Sequence, residues 1–104
     1  MTKVIFRRKH WGDRHEDEIY AFFPEAHVNP GNILCYAHMG QHSEASLDFY
    51  YSTKPCYSEK EYADLKKELE NVCEYDDLKV VKMITRHDQV RAWWPERFKE
   101  TDPI

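Results

Sequence analysis

Scarcities narrow the class of this chain before any motif does. Glycine occurs only 3 times in 104 residues, so a glycine-rich loop that cradles phosphate has little to be built from. The 3 cysteines, Cys35, Cys56 and Cys73, are odd in number and include no Cys-x-x-Cys pair. Reduced thiols and a cytoplasmic location are the expectation. No apolar run approaches the roughly 20 residues needed to span a bilayer, and Lys3, Arg7 and Arg8 interrupt any signal-peptide core. A cationic excess is also missing: 15 Lys and Arg stand against 19 Asp and Glu, for a net charge of −4. A general nucleic-acid binder shows the opposite balance.

That charge is unevenly spread. Residues 1–14 carry five basic and one acidic residue, residues 15–77 four basic and fourteen acidic, and residues 78–104 six basic and four acidic. An acidic middle between basic ends permits a local basic patch only where the two termini meet. Aromatics reach 14% of the chain, dominated by 7 tyrosines. Large side chains of this kind make a small core adequate.

The periodicity predicts one domain over residues 1–86, followed by a C-terminal tail over 87–104 that is partly packed or frayed. Lys3 to Arg8 reads as a strand, β-branched and aromatic in composition. Lys9 to Asp17 is a polar loop, and Glu18 to Phe23 is a second strand with apolar residues on both faces, stopped by Pro24. Asn29-Pro30-Gly31 is a turn signature. A third strand from about Ile33 to Met39 sends Ile33, Cys35, Ala37 and Met39 to one face and Leu34, Tyr36 and His38 to the other. Alternation of Ala45, Leu47, Phe49 and Tyr51 with polar neighbours points to a fourth strand over Ser43–Ser52.

Ser58 and Glu61 form a capping box, with Tyr57 and Tyr62 at the staple positions. Tyr62, Leu65, Leu69 and Val72 then repeat on one helical face. Leu78 to Ile84 is a final strand, and Val90, Trp93, Trp94 and Phe98 suggest a short amphipathic turn near Pro95. The order β-β-β-β-α-β gives an α+β fold, a mainly antiparallel sheet of four to five strands covered on one face by one amphipathic helix.

Several pieces in this order resemble a family of small uncharacterised bacterial proteins often carried by phages and mobile elements. They are Val4-Ile5-Phe6-Arg7, Ala21-Phe22-Phe23-Pro24-Glu25, Gly40-Gln41-His42, Thr53-Lys54-Pro55, the helix Glu61 to Leu69, and Leu78-Lys79-Val80-Val81-Lys82. The resemblance spans most of residues 3–82 and implies an origin and a domain, without an activity. This chain departs from it in a longer first loop, in the Trp-containing tail, and in Cys73-Glu74-Tyr75, where relatives tend to place glycine before the tyrosine.

Three sets of residues carry candidate chemistry. Cys35, His38, His42 and Cys56 have the atoms for a tetrahedral zinc site. An odd separation along a strand, however, sends Cys35 and His38 to opposite faces, and the competing reading is a buried thiol with hydrogen-bonded histidines. No cofactor is therefore expected, with zinc as the alternative. Gly40 and Gln41 form the turn beside His42. No orienting third group or anion pocket accompanies a nucleophile, so no residue is assigned a catalytic role. Trp11 near the first basic cluster, and Arg91, Trp93, Trp94 and Arg97 in the tail, have the composition of protein-interface hot spots. The same tryptophans could instead cover an open sheet face. The expected function is a small non-enzymatic interaction module that binds a protein partner or itself through the aromatic tail or a sheet edge. The alternatives are a ligand or metal site at Cys35, His38 and His42, and a nucleic-acid-associated accessory protein of a mobile element.

Overall fold

A computed structural model describes residues 2–10, 12, 17–37, 42–56 and 58–93, with the side chains of residues 91 and 92 excepted. The elements are β1 (Thr2–Lys9), β2 (Glu18–Phe23), β3 (Asn32–Tyr36), β4 (His42–Ser46), α1 (Leu47–Ser52), β5 (Lys54–Pro55), α2 (Glu59–Asn71), β6 (Leu78–Val81) and α3 (Arg86–Trp93). The sheet runs β4-β3-β2-β1-β5, with β6 also on β1. Its pairings are antiparallel except β1 with β6, which is parallel. The α+β class and the mainly antiparallel sheet are thus as expected.

Alternation along the strands gives the sheet two buried faces. Val4, Phe6, Ala21, Phe23 and Tyr36 meet Leu65 and Leu69 of α2 on one face. Ile5, Phe22, Ile33 and Cys35 meet Leu47 and Tyr50 of α1 and Ile84 on the other. Cover on both sides explains why β2 is apolar on both faces. It also corrects the expectation of one covering helix on one face: α1 closes the second face, and α3 lies against β3.

The predicted fourth strand over Ser43–Ser52 is half right. The strand stops at Ser46, whose hydroxyl accepts from Phe49 N at 3.0 Å and caps α1. Leu47 and Tyr50, three residues apart, are the buried pair of that helix. The alternation of apolar residues misled because a two-turn helix can bury its i and i+3 positions from the same letters. Lys54-Pro55, expected only to end a strand, is the two-residue β5 against Arg7 and Arg8. Proline is tolerated at such an edge.

Three ties fix the second face. Arg7 is buried, and its guanidinium donates to Thr53 Oγ1 at 2.9 Å and to Thr53 O at 2.6 Å, over the Tyr50 ring. Thr53 is the C-cap of α1, a helix with no basic residue in its last turn, so Arg7 supplies the positive charge that a helix C-terminus favours. Thr85 and Asp88 cap α3 reciprocally: Asp88 accepts from Thr85 N at 3.0 Å and Thr85 Oγ1 from Asp88 N at 3.1 Å. Lys3 pairs with the buried Asp88 at 3.4 Å and holds that cap on β1. These hydrogen bonds hold the Asp88 carboxyl below the usual carboxylate range although its burial raises it.

The Asn29-Pro30-Gly31 turn forms as expected, with Gly31 at φ 81°. A Cβ there would lie 2.9 Å from the Trp93 ring. Glycine is therefore required twice, for the left-handed backbone and for the close approach of Trp93.

Candidate functional site

The region first expected to hold a site lies where β3 and β4 pair beneath the second half of α2. Tyr36 stands opposite His42 in the register, and both side chains face α2. Tyr36 is 1% exposed and donates its hydroxyl to Glu68 Oε2 at 2.5 Å. That bond is the main cause, with burial second, of a phenol pKa pushed well above its ordinary 10.0. His42 Nε2 and the Tyr75 hydroxyl are hydrogen bonded at 2.8 Å. Burial lowers the His42 pKa below 6.5 and raises that of Tyr75. The Tyr75 ring stacks on Phe23 at 5.2 Å, and the His42 ring lies 4.9 Å from that of Tyr36.

Tyr75 reaches His42 because the chain turns sharply after α2. Glu74 adopts φ 60°, the left-handed region, and Tyr75 N donates back to Leu69 O at 3.1 Å. The predicted helix face ends one residue early as a result: Val72 is the C-cap and is 69% exposed, rather than part of the buried stripe. The lowered His42 and the raised Tyr36 and Tyr75 are neutral, hydrogen-bonded groups at pH 7, with the Cys73 thiol beside Tyr36. The arrangement closes the far end of α2 onto the sheet.

Of the zinc candidates, the described ones, Cys35, His42 and Cys56, do not converge. Cys35 sits in the core on the α1 face, while His42 is on the α2 face. Cys56 packs on the α2 face beside Glu61, seven residues before Glu68 and so about 10 Å along the helix from the Tyr36 cluster. Burial pushes both thiols, Cys35 and Cys56, up to about 12, helped at Cys56 by the negative charge of Glu61 against the opposing pull of Arg8 and Arg7. Neither is a thiolate at neutral pH. Among the described residues no group of three or more His, Cys, Asp or Glu is placed to hold a metal ion. His38, Gly40, Gln41, Trp11, Trp94 and Arg97 lie outside the described residues, as does the side chain of Arg91. Trp93 is 53% exposed, its ring resting on Gly31, so it is partly packed and partly free.

A second site was not visible in the sequence. β5 and β6 share one edge of β1, pairing at Arg7–Arg8 and at Thr2–Ile5 respectively. Between them, at Phe6, the edge is split, and a cleft of about 450 Å³ opens there, lined by Phe6, Pro55, Cys56, Tyr62, Val80 and Lys82 among others. The Tyr62 ring lies flat on Phe6 at 4.3 Å and forms one wall. The cleft borders the first turn of α2. Ser58 is its N-cap as expected, but its side chain makes no capping hydrogen bond, and one carboxylate oxygen of Glu61 is buried without a partner. The capping box is therefore present in sequence and unmade in structure, because Glu61 turns toward Cys56 instead.

Beyond the cleft, a second groove lies between Val80 and the α2 residues Tyr62, Ala63, Asp64, Lys66 and Lys67. The outer edge of β6 runs along it. Val80, 38% exposed, stands at this edge, and Met83 just past it is also exposed. No helix among the described residues is long and apolar enough to cross a membrane. Searches of protein-family models, curated proteins and solved structures find no match to this chain.

Proposed function

We propose that this chain is a small non-enzymatic interaction module that takes an extended segment of a protein partner alongside β6. The observation that carries the reading is the open outer side of β6. It is a short strand with an exposed valine, bordered by a largely charged groove along α2 and, toward Phe6 and Tyr62, by the cleft between β5 and β6. Strand addition draws affinity from main-chain hydrogen bonds and specificity from pockets that take alternate side chains. The outer edge of β6 supplies the first, and the adjoining cleft at Phe6 and Tyr62 supplies room for the second. The protonated thiols and phenols described above favour binding over nucleophilic chemistry.

Selection from a displayed random-peptide library tests it. Extended sequences should be enriched on the wild-type protein and should lose affinity for Val80→Pro. That substitution removes the outward N–H of β6 and leaves the bonds to β1 in place. Binders that hold Val80→Pro as tightly as wild type, or a library that yields none, would overturn the reading.

A further inference from the structure

The cleft at Phe6 has a chemistry of its own, separate from the strand edge beside it. The stacked rings of Phe6 and Tyr62 line it, and Pro55, Val80 and Val81 complete its apolar walls. A volume of about 450 Å³ suits a small-ligand site, in which apolar walls surround a few polar groups. The polar groups here are Cys56, Ser58, Glu59 and Lys82, and the Ser58 side chain is not spent on capping α2. Beside Cys56 stands Glu61. Its Oε2 is the one buried side-chain oxygen or nitrogen without a hydrogen-bond partner among the described residues. A buried carboxylate oxygen with no donor is costly, and a cation brought near it relieves that cost.

Two groups in the wall show the sign of the local field. Burial raises the Cys56 thiol, and the charge of Glu61 raises it further against the weaker opposing pull of Arg8 and Arg7. Burial also raises the Tyr62 phenol, and Glu59 adds to the rise. Arg7 is held by Thr53, and Arg8 by Asp17 and Pro55 O. Lys82 is the one basic side chain lining the cleft, exposed just past β6. The aromatic faces reinforce the negative field, because their π-systems attract cations.

We propose that this cleft binds an organic cation, an ammonium or guanidinium group on an apolar stem. Glu59 is its ionic contact, the Phe6–Tyr62 pair its aromatic wall, and Glu61 a fixed negative charge beside Cys56. An anion would be repelled by both carboxylates, and a neutral group would leave them uncompensated. The site needs no strand on β6 and so goes beyond the strand-addition reading. The same cation can arrive as a free amine or as the Lys or Arg side chain of a bound segment.

NMR titration of the isotope-labelled full chain with phenethylammonium chloride tests it. Phenethyl alcohol has the same shape without the charge, and hydrocinnamate carries the opposite one. The amine should shift the amide signals of Cys56, Glu59, Tyr62 and Val80, with a dissociation constant on the order of 0.1–10 mM. The alcohol should bind at least about three-fold more weakly, and the carboxylate more weakly still. Glu61→Gln, close to isosteric, should weaken the amine by about three- to thirty-fold. Lys82→Glu, at an exposed position, should strengthen it by about two- to five-fold. An alcohol or carboxylate as tight as the amine, shifts that map elsewhere, or an amine affinity that either substitution leaves unchanged would overturn the proposal. Library peptides that carry Lys or Arg and compete with the amine identify a side chain as the source, and amine binding without such competition identifies a free amine. The amine reads the cleft and Val80→Pro reads the edge, so either reading can fail alone.

Discussion

Glu74 should be the easiest position at which to stabilise this protein. Its φ of 60° is left-handed, a conformation that costs a non-glycine residue about 1–2 kcal/mol through crowding of Cβ against the backbone. Glycine removes that cost but brings extra freedom to the unfolded chain, worth about 0.5–1 kcal/mol in the other direction. Glu74 also follows α2, whose last turn contains no basic residue, so its negative charge opposes the helix dipole by a few tenths of a kcal/mol. The net gain for Glu74→Gly is about 0.5–1 kcal/mol, which raises the melting temperature of a domain this size by roughly 2–8 °C. Glu74→Ala is the control, since it removes the charge and keeps the strained Cβ. Thermal and urea melts of the three proteins decide the matter. A glycine variant that gains no more than the alanine variant refutes backbone strain at this turn, and with it the account of how Tyr75 is delivered to His42.

Two further perturbations follow from buried groups. Burial keeps the folded-state pKa of His42 below 6.5, so as pH falls through that value the unfolded chain takes up a proton that the fold resists. This contribution to stability is complete above about 6.5 and declines toward the lowered folded value. His42→Phe, which keeps a ring against Tyr36, should flatten the slope of stability between pH 7 and 5 in urea titrations, and an unchanged slope would locate the effect elsewhere. Arg7→Met keeps the bulk and loses both bonds to Thr53. We expect a loss of about 2–4 kcal/mol in urea melts, and a loss under 1 would show that the guanidinium does not anchor α1.

The sequence was informative wherever one element's pattern answered one environment. Strands β1 and β2, the turn at Gly31 and the stripe Leu65–Leu69 were legible because burial imposes period 2 or 3.6 on them directly. Helix α1 was missed because six residues contain too few turns for their period to separate from that of a strand. The capping signal Thr85-x-x-Asp88 was present and went unread, since the apolar residues after it, Val90, Trp93, Trp94 and Phe98, suggested only a short turn in a tail. Nothing local in Cys73-Glu74-Tyr75 tied Tyr75 to His42, because the two meet only through the turn after α2. The cleft between β5 and β6 could not be read at all. It exists because residues 54–55 and 78–81, more than twenty positions apart, occupy the same side of β1.

The same topology decides which edge is open to a partner. Proteins guard exposed strands with charge, proline and side-chain ties. On β4, the solvent-facing residues are Ser43, Glu44 and Ser46, and Glu44 is held by Asn29 N and Asn32 Nδ2, each at 3.0 Å. On β5, Pro55 removes a donor from a strand of two residues. Along β6 the strand's own guard is Lys79, and the residue turned outward beside it is Val80. Lys79 faces away from the groove that Val80 lines, because neighbours on a strand point to opposite faces. The unguarded edge therefore coincides with the aromatic cleft, and a strand added there would cover both.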